Sequence, residues 1–451
     1  MLNRLRILLI RATGAFWTIP ALMVLTGVFA AVGLVSLDRS GLVPPAWIRS
    51  VWLYNGGGTG ARTLLGVVAS SAIGVAGTVF SITVAALSLA AGQMGPRLLR
   101  NFTHDRGNQV TLGAFLGTFA YALMVLRSVR TQSEGEFVPH LALTVSILLA
   151  FLCLATLVYF VNHMAGRINV DTVIELVSGE VHQAILRLGL EEAPIGRAPA
   201  ADLTDTQMVH DPRQGYVLDV HHEALVTWAA QQGTVLRLMV RPGDYVFPGA
   251  PIAVCNAAAE GADDMISQAV TLSPERASAD DIEYAIRQLV EVAVRALSPG
   301  INDPHTAMSA LDRLGAALCD LVPLHLPNGV FLHEGRCVMV APAVDYDGLT
   351  DAMFHLIRQN ASTSAAVLIR MLEVLTAVAS CERDAARLVS LQRHANLVVG
   401  DADRCIATPA DLADIRRRWS RFCAMRLQGP LALLRDTEAD AGSISRETGA
   451  A

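Results

Sequence analysis

The residues best suited to chemistry lie in the segment RALSPGINDPHTAMSALDRLG. Asn302, Asp303 and His305 are close together there, and such side chains can ligate a metal or transfer protons. A structural role fits them better. Asp303 before Pro304 is a typical helix start, because the carboxylate accepts from unpaired backbone N–H groups and proline suits the first turn. With Gly300 closing the preceding helix, we interpret the segment as a turn between two helices.

Two other groups of polar residues could bind a metal or form ion pairs. The run HHE at 221–223 offers two imidazoles and a carboxylate, but consecutive residues of a strand point to opposite faces and rarely share one metal. A second group repeats every four residues on one predicted helix, which is typical of a salt-bridge ladder. A buried ion-pair role at a subunit contact is its alternative. The members of this group are Glu283, Arg287, Glu291 and Arg295.

The sequence carries no recognised catalytic signature. It lacks G-x-S-x-G, a G-x-G-x-x-G after a strand, and H-E-x-x-H. All 35 Lys and Arg residues are arginines, which excludes Schiff-base chemistry, a phosphate-binding lysine and a lipoyl or biotinyl attachment site. The glycine-rich NGGGTG at 55–60 has neither a strand nor a lysine beside it. We therefore predict no catalytic residue, no cofactor and no metal.

Charge and hydrophobicity divide the chain into two parts. Residues 1–162 carry 11 Arg and 4 acidic residues, a net charge of +7, whereas residues 163–451 carry 24 Arg and 37 acidic residues, a net charge of −13. The acidic second part argues against nucleic acid as a partner. Six of the seven cysteines lie in it without a C-x-x-C pair. They indicate a reducing compartment rather than a disulfide framework or a zinc site.

The first part contains four runs that are long and apolar enough to span a bilayer. With a cytoplasmic N-terminus, the inner segments hold six arginines and the outer loops five, which is a weak positive-inside bias. Four spans then return the C-terminal part to the cytoplasm, so we predict a multi-pass protein of the bacterial inner membrane with both termini cytoplasmic. The predicted spans are 14–37, 64–91, 110–127 and 140–162.

The second part is predicted to form a cytoplasmic α+β domain. Short β-type runs in 214–258 resemble half of a barrel-sandwich hybrid, without the lysine that a swinging arm needs. A mainly helical part follows, interrupted by a β-hairpin at 329–341. The predicted domains are therefore 1–162, four transmembrane helices; 163–213, a connecting helix and linker; 214–258, the small β module; 259–425, the helical part; and 426–451, a disordered tail.

The second span carries a continuous line of small residues, which we call the small-residue stripe. Its members recur every three or four residues and so lie on one side of a helix. Such a stripe lets helix backbones pack closely in lipid, which is the commoner arrangement. Around a shared axis it also leaves room for water and presents hydroxyls, so a pore lining stays open as the alternative. The stripe consists of Ser70, Gly74, Gly77, Ser81, Ala85, Ser88 and Gly92.

Basic residues follow the stripe at the predicted inner end of the span. Gly95-Pro96 is expected to break the helix, and Arg97, Arg100 and Arg106 come after it. Their charges can attract ions or anchor anionic lipid headgroups. We therefore predict an inner mouth with a basic rim.

Three segments in this order, LAAGQMGPRLLRNFTHDRGNQ, VRPGDYVFPGAPIAV and RALSPGINDPHTA, resemble the bacterial membrane proteins grouped as domain of unknown function 2254. The resemblance covers about residues 10–425. It implies a four-span membrane protein with a cytoplasmic domain, and it brings no established activity or catalytic residue.

The sequence favours a homo-oligomeric inner-membrane channel or pore-like protein with a cytoplasmic domain for assembly or gating. Its partners would be the bilayer, further copies of itself, and ions or anionic lipid. The alternative is a membrane-anchored sensor or scaffold whose cytoplasmic domain binds a partner or a small ligand.

Overall fold

The computed structural model describes residues 16–40, 54, 56–94, 105–130, 137–196, 206–256, 259–276 and 281–431. They fall into two compact units that divide between Thr172 and Val173. Each unit is described by itself.

Among the described residues of the N-terminal unit, four helices are long and apolar enough to cross a membrane. The four predicted spans are thereby confirmed, with somewhat different ends. The third helix packs against the other three. Its most apolar stretch is 56% buried, against 17% to 22% in the others, so it is the centre of the bundle. The helices are α1 (Thr18–Arg39), α2 (Gly58–Met94), α3 (Arg106–Ser128) and α4 (His140–Ile168).

Carboxylates cap the helices α3 and α4. Asp105 precedes α3, accepts a hydrogen bond from a backbone N–H of the first turn, and lies 2.8 Å from Nε2 of His163 on α4. Asp38 near the end of α1 accepts from the backbone N–H groups of Leu141 and Ala142, at 3.2 and 3.1 Å. These bonds satisfy helix N-termini that have no intrahelical partner, and they join α1 and α3 to α4.

Glycines allow α1 and α3 to approach closely. A Cβ atom on Gly27 would lie 2.5 Å from the carbonyl oxygen of Gly117, and one on Gly113 would lie 2.5 Å from Sδ of Met23. The Gly27 contact is with backbone and admits only glycine, whereas the methionine side chain near Gly113 can move; Gly113 and Gly117 have the G-x-x-x-G spacing common at membrane helix interfaces. The sequence analysis did not single out this pair.

The C-terminal unit combines helices with two small sheets. The predicted connecting helix is α5 (Val170–Leu188), which lies mostly in this unit and buries Val173, Val177, Val181 and Ile185. Leu176 on the same helix is exposed. The strands are β1 (Gln207–His210), β2 (Gly215–Val220), β3 (Leu236–Leu238), β4 (Tyr245–Val246), β5 (Pro251–Cys255), β6 (Val270–Ser273), β7 (Val330–His333) and β8 (Arg336–Val340).

One sheet has the order β1-β5-β3-β8-β7 and the other β4-β2-β6. All described strand pairs are antiparallel except β3 with β8, which pairs Leu236 with Met339. The predicted hairpin at 329–341 is therefore part of the larger sheet. Two short helices, α6 (His222–Gln232) and α7 (Ala262–Ala269), pack with the strands around a shared apolar core.

The remainder of this unit is mostly helical, as the sequence indicated. The helices are α8 (Ile282–Ala296), α9 (Pro304–Leu321), α10 (Tyr346–Asn360), α11 (Ala365–Cys381), α12 (Ala385–Cys405) and α13 (Pro409–Gln428).

Three details of the sequence interpretation change. HHE does not lie on a strand, because His222 and Glu223 are the first two residues of α6. This helix is ended by Gly233, whose backbone adopts the left-handed conformation. The predicted linker 191–213 contains β1, which pairs with β5. A barrel-sandwich module is not confirmed, because α6 interrupts the strands and β3 pairs with β8 from outside 214–258. Of the predicted tail, 426–451, residues 426–428 still belong to the last helix, and the part from 432 onward lies outside the described residues.

Candidate functional site

The small-residue stripe is exposed over its whole length in the single chain. All of its residues, from Ser70 to Gly92, lie on the solvent- or lipid-accessible side of α2. A Cβ atom on Gly74 or Gly77 would meet no described atom within 4 Å. Within the described chain, the stripe is therefore not an internal packing seam.

A different side of α2 packs into the bundle. At about 100° per residue, this side lies roughly opposite the stripe. It also consists mainly of small residues, which accounts for the close approach of α2 to α3. The other described helices of the bundle therefore do not cover the stripe. The buried residues of α2 are Ala61, Leu65, Ala69, Ala72, Ala76, Val79 and Ala86.

Large apolar side chains flank the stripe. Ile73 and Phe80 lie on one side of it and Ile82 and Leu89 on the other, each between 42% and 47% exposed. Val79, by contrast, is buried against the bundle. The stripe is thus a shallow groove between two apolar rims.

The exposed faces of α1 and α4 differ from the stripe. They present large side chains such as Phe29 on α1 and Phe151 and Val158 on α4, which are 66% to 72% exposed. Such residues are typical of a surface that faces lipid. In the described bundle the long groove of small residues is therefore a special feature of α2.

The hydroxyl groups of the stripe bond to their own helix. Ser70 donates to the carbonyl oxygen of Gly66 at 2.5 Å, and Ser81 donates to that of Gly77 at 2.9 Å. This arrangement lowers the cost of exposing a hydroxyl to lipid. Each hydroxyl oxygen also keeps acceptor capacity for a group outside the helix.

The predicted basic mouth is only partly described. Arg97 and Arg100, like the expected break at Gly95-Pro96, lie outside the described residues. Arg106 is the first residue of α3 and is exposed. Close to it in sequence, Asn108 and Thr111 are buried, and their side-chain polar atoms have no hydrogen-bond partner among the described residues.

The segment around Asp303 forms a tight turn between α8 and α9. The Asp303 carboxylate accepts from the N–H groups of His305 and Thr306 at 3.1 and 3.2 Å, and from the Thr306 hydroxyl at 2.7 Å. Pro304 occupies the first turn of α9. The left-handed residue is Asn302, with φ of 49°, and not Gly300. Both carboxylate oxygens of Asp303 accept hydrogen bonds from the first turn of α9, so this geometry does not favour metal binding.

The electrostatics of the turn follow from the same bonds. The Thr306 hydroxyl that donates to Asp303 lowers the pKa of this carboxyl, and the N–H groups of Thr306 and His305 lower it further. The folded pKa therefore lies below the unfolded value of about 3.9. The cap's contribution to stability is present above the unfolded pKa and is lost as the pH falls through the folded pKa.

We expect Asp303→Asn to keep most of the stability, because asparagine also caps helices, whereas Asp303→Leu costs roughly 1 kcal/mol or more. Thermal unfolding of the two purified variants measures this difference. If Asp303→Asn folds normally but removes a measurable activity or a bound metal, the chemical interpretation replaces the structural one.

The two other polar groups noted in the sequence, HHE at 221–223 and the charged row on α8, do not converge on a common site. His222 stacks on Phe331 with ring centroids 4.9 Å apart, while His221 lies 3.6 Å from Asp219. The ladder on α8 forms the i,i+4 pairs Glu283–Arg287 at 3.3 Å and Glu291–Arg295 at 3.4 Å. Glu283 also pairs with Arg241, which precedes β4.

Sequence reasoning missed a polar cluster between α10 and α12. Asp351, His355 and His394 place their possible ligand atoms within 4.8 Å of one another. Burial, together with the charges of Arg393 and His355, lowers the pKa of His394 to about 4, so this ring is neutral at pH 7. The spacing Asp351-x-x-x-His355 was a usable signal, but nothing in the sequence paired it with His394.

Comparisons with known proteins agree with the architecture. The family described as "Predicted membrane protein (DUF2254)" matches residues 13–377. Uncharacterized proteins of Mycobacterium tuberculosis and Mycobacterium bovis are 32% identical to this chain over 427 residues, covering 92% of this chain and 81% of each relative. No solved structure matches. The extent of the family match and the four apolar helices lead to one conclusion: the chain belongs to the DUF2254 family of predicted membrane proteins.

Proposed function

We propose that this protein is a homo-oligomeric channel or pore-like protein of the bacterial inner membrane. Copies meet along the small-residue stripe of α2, around a common axis, and the C-terminal unit assembles or gates them from the cytoplasm. The observation that carries the proposal is the exposure of the stripe from Ser70 to Gly92, on the side of α2 opposite the bundle.

A second copy suits this groove better than lipid does. Small residues give lipid chains little surface to contact, whereas around an axis shared by several copies they leave room for water. Around an axis, the hydroxyl oxygens of Ser70, Ser81 and Ser88 would form rings of acceptors for water or a cation. Asn108 and Thr111, whose side chains have no hydrogen-bond partner among the described residues, place further polar atoms in the bundle, where polar groups are costly and often functional.

Self-cross-linking tests the arrangement of copies. In a variant without the seven native cysteines, Ser81→Cys should form disulfide-linked dimers in native membranes. Phe151→Cys, which lies on the lipid-type face of α4, is the matched control and should stay monomeric. Equal yields at the two positions, or none at Ser81→Cys, would contradict an oligomer built on the stripe.

Topology is a separate prediction. Reporter fusions after Arg49 and after Arg167 should lie on opposite sides of the membrane, with the second in the cytoplasm, because α1 to α4 would cross it four times. Alkaline phosphatase and green fluorescent protein at both positions provide complementary signals. The same side for both fusions would exclude this topology.

The second candidate function is that of a membrane-anchored sensor or scaffold. A cavity of about 250 Å³ in the C-terminal unit favours it. Phe331 and His222 provide a stacked aromatic wall, and Arg241 and Glu283 provide charge beside it. Apolar walls with a few polar groups are typical of small-molecule sites. This candidate predicts ligand binding without a continuous path through the membrane.

A further inference from the structure

We propose that Asp351, His355 and His394 form a binding site for a divalent transition-metal ion of the zinc class. The site lies within the C-terminal unit, and the inference does not depend on how copies meet in the membrane.

Two packed helices position the three side chains. Asp351 and His355 are one turn apart on α10 and so lie on the same side of it. His394 comes from α12, and a buried hydrogen bond of 2.9 Å between the hydroxyls of Thr350 and Ser390 joins the same two helices. The candidate ligands are therefore carried by rigid elements rather than by loops, as a precise metal site requires.

The distances suit an ion shared by the three groups. Nε2 of His355 lies 2.9 Å, and Nε2 of His394 lies 3.1 Å, from the same oxygen, Oδ1 of Asp351. An ion about 2.1 Å from each ligand atom would then make nitrogen–metal–oxygen angles of about 85–95°. Two imidazoles and one carboxylate on one side of an ion leave its other coordination positions open to water or a further ligand.

The orphaned nitrogens are the independent observation. The side chain of His394 is fully buried, and neither of its ring nitrogens has a hydrogen-bond partner among the described residues. Its Nε2 is close to Asp351 but not aligned with it for a hydrogen bond. Buried polar atoms are nearly always satisfied. A metal ion on Nε2 would satisfy one of these nitrogens.

The ligand types select the class of ion. Imidazole nitrogen suits zinc and the later first-row transition ions, whereas Mg²⁺ and Ca²⁺ prefer sites made of oxygen ligands. His394 forms the buried floor of the site, while the side chains of His355 and Asp351 are 32% and 37% exposed. An ion can therefore reach the cluster from solvent.

The competing arrangement is an ion pair without a metal. Arg393 donates to the same Oδ1 of Asp351, and its positive charge opposes a second cation there. Asp347, whose carboxylate is 3.9 Å from Arg393, offers this arginine another partner when Asp351 binds a metal. The experiment distinguishes these two states of the cluster.

The test uses full-length protein in detergent, with its free thiols alkylated and its metals removed by chelation. Zn²⁺ is titrated by calorimetry, and Co²⁺ binding is followed by visible absorption. We expect one tight equivalent of Zn²⁺ and Co²⁺ bands without thiolate charge transfer. His355→Ala should weaken Zn²⁺ binding at least tenfold, while His333→Ala, an exposed histidine of β7, should leave it unchanged.

The same samples are also tested for correct folding. His355 is partly exposed, so His355→Ala should keep its thermal unfolding transition, and Zn²⁺ should raise that transition in the wild type but not in this variant. His394→Ala extends the series if it folds. Zn²⁺ affinity that is the same in His355→Ala and wild type, or no binding to either, would overturn the proposal and leave the Arg393 ion pair.

Discussion

Gly27→Leu is expected to disrupt the membrane bundle. The first side-chain atom would lie 2.5 Å from the carbonyl oxygen of Gly117, and a backbone atom cannot rotate away as a side chain can. The two helices would have to separate along a seam that also contains Gly113. We expect a cost at or above the upper end of the roughly 1–3 kcal/mol that overpacking brings. Thermal unfolding in detergent, followed by size-exclusion chromatography, measures the loss.

Gly33→Leu is the matched control in the same helix. A Cβ atom there would meet nothing within 4 Å among the described residues, so this variant should unfold near the wild-type temperature. Gly77→Leu on the stripe should likewise keep the bundle of the single chain, because a Cβ atom there also meets nothing within 4 Å among the described residues. A Gly27→Leu variant as stable as Gly33→Leu would contradict the close packing of α1 and α3.

Asp401→Ala is expected to cost roughly 3–5 kcal/mol, because it breaks a buried ion pair and leaves one charge uncompensated. Arg358 on α10 and Asp401 on α12 pair directly, and each side chain is only 9% exposed. Burial lowers the pKa of Arg358, and Arg404 nearby lowers it further. Without Asp401, the buried guanidinium would lose its countercharge. Chemical denaturation of the purified protein measures the difference.

Asp403→Ala provides the comparison, since it lies two positions away on the same helix. Asp403 pairs with Arg416 at 2.8 Å, but its side chain is 43% exposed. An exposed pair contributes about 0–1 kcal/mol. Equal losses in the two variants would show that burial does not set the strength of the Arg358–Asp401 pair.

The sequence was informative where one local pattern determines the structure. Runs of apolar residues predicted the four membrane helices, because a bilayer requires both length and low polarity. The β-hairpin at 329–341 and the helices from Ile282 onward also follow from local periodicity and turn residues. These signals need no knowledge of what each element packs against.

The sequence was less informative where packing between distant segments determines the structure. It could not show which side of α2 faces the bundle, because both Ala72 and Gly77 belong to lines of small residues. It placed His222 on a strand, since a short mixed run does not distinguish a strand from a helix. It could not bring His394 to Asp351, because that contact depends on how α10 packs against α12.

The most direct test of the channel proposal is ion flux through vesicles that contain the purified protein. We expect flux in the wild type, and its loss in Ser81→Trp with the oligomer intact, because a large side chain on the stripe would fill the axis. If the stripe is a packing seam, Ser81→Trp should break the oligomer instead. No flux in the wild type under any voltage, tension or ligand condition would contradict the channel and favour the scaffold.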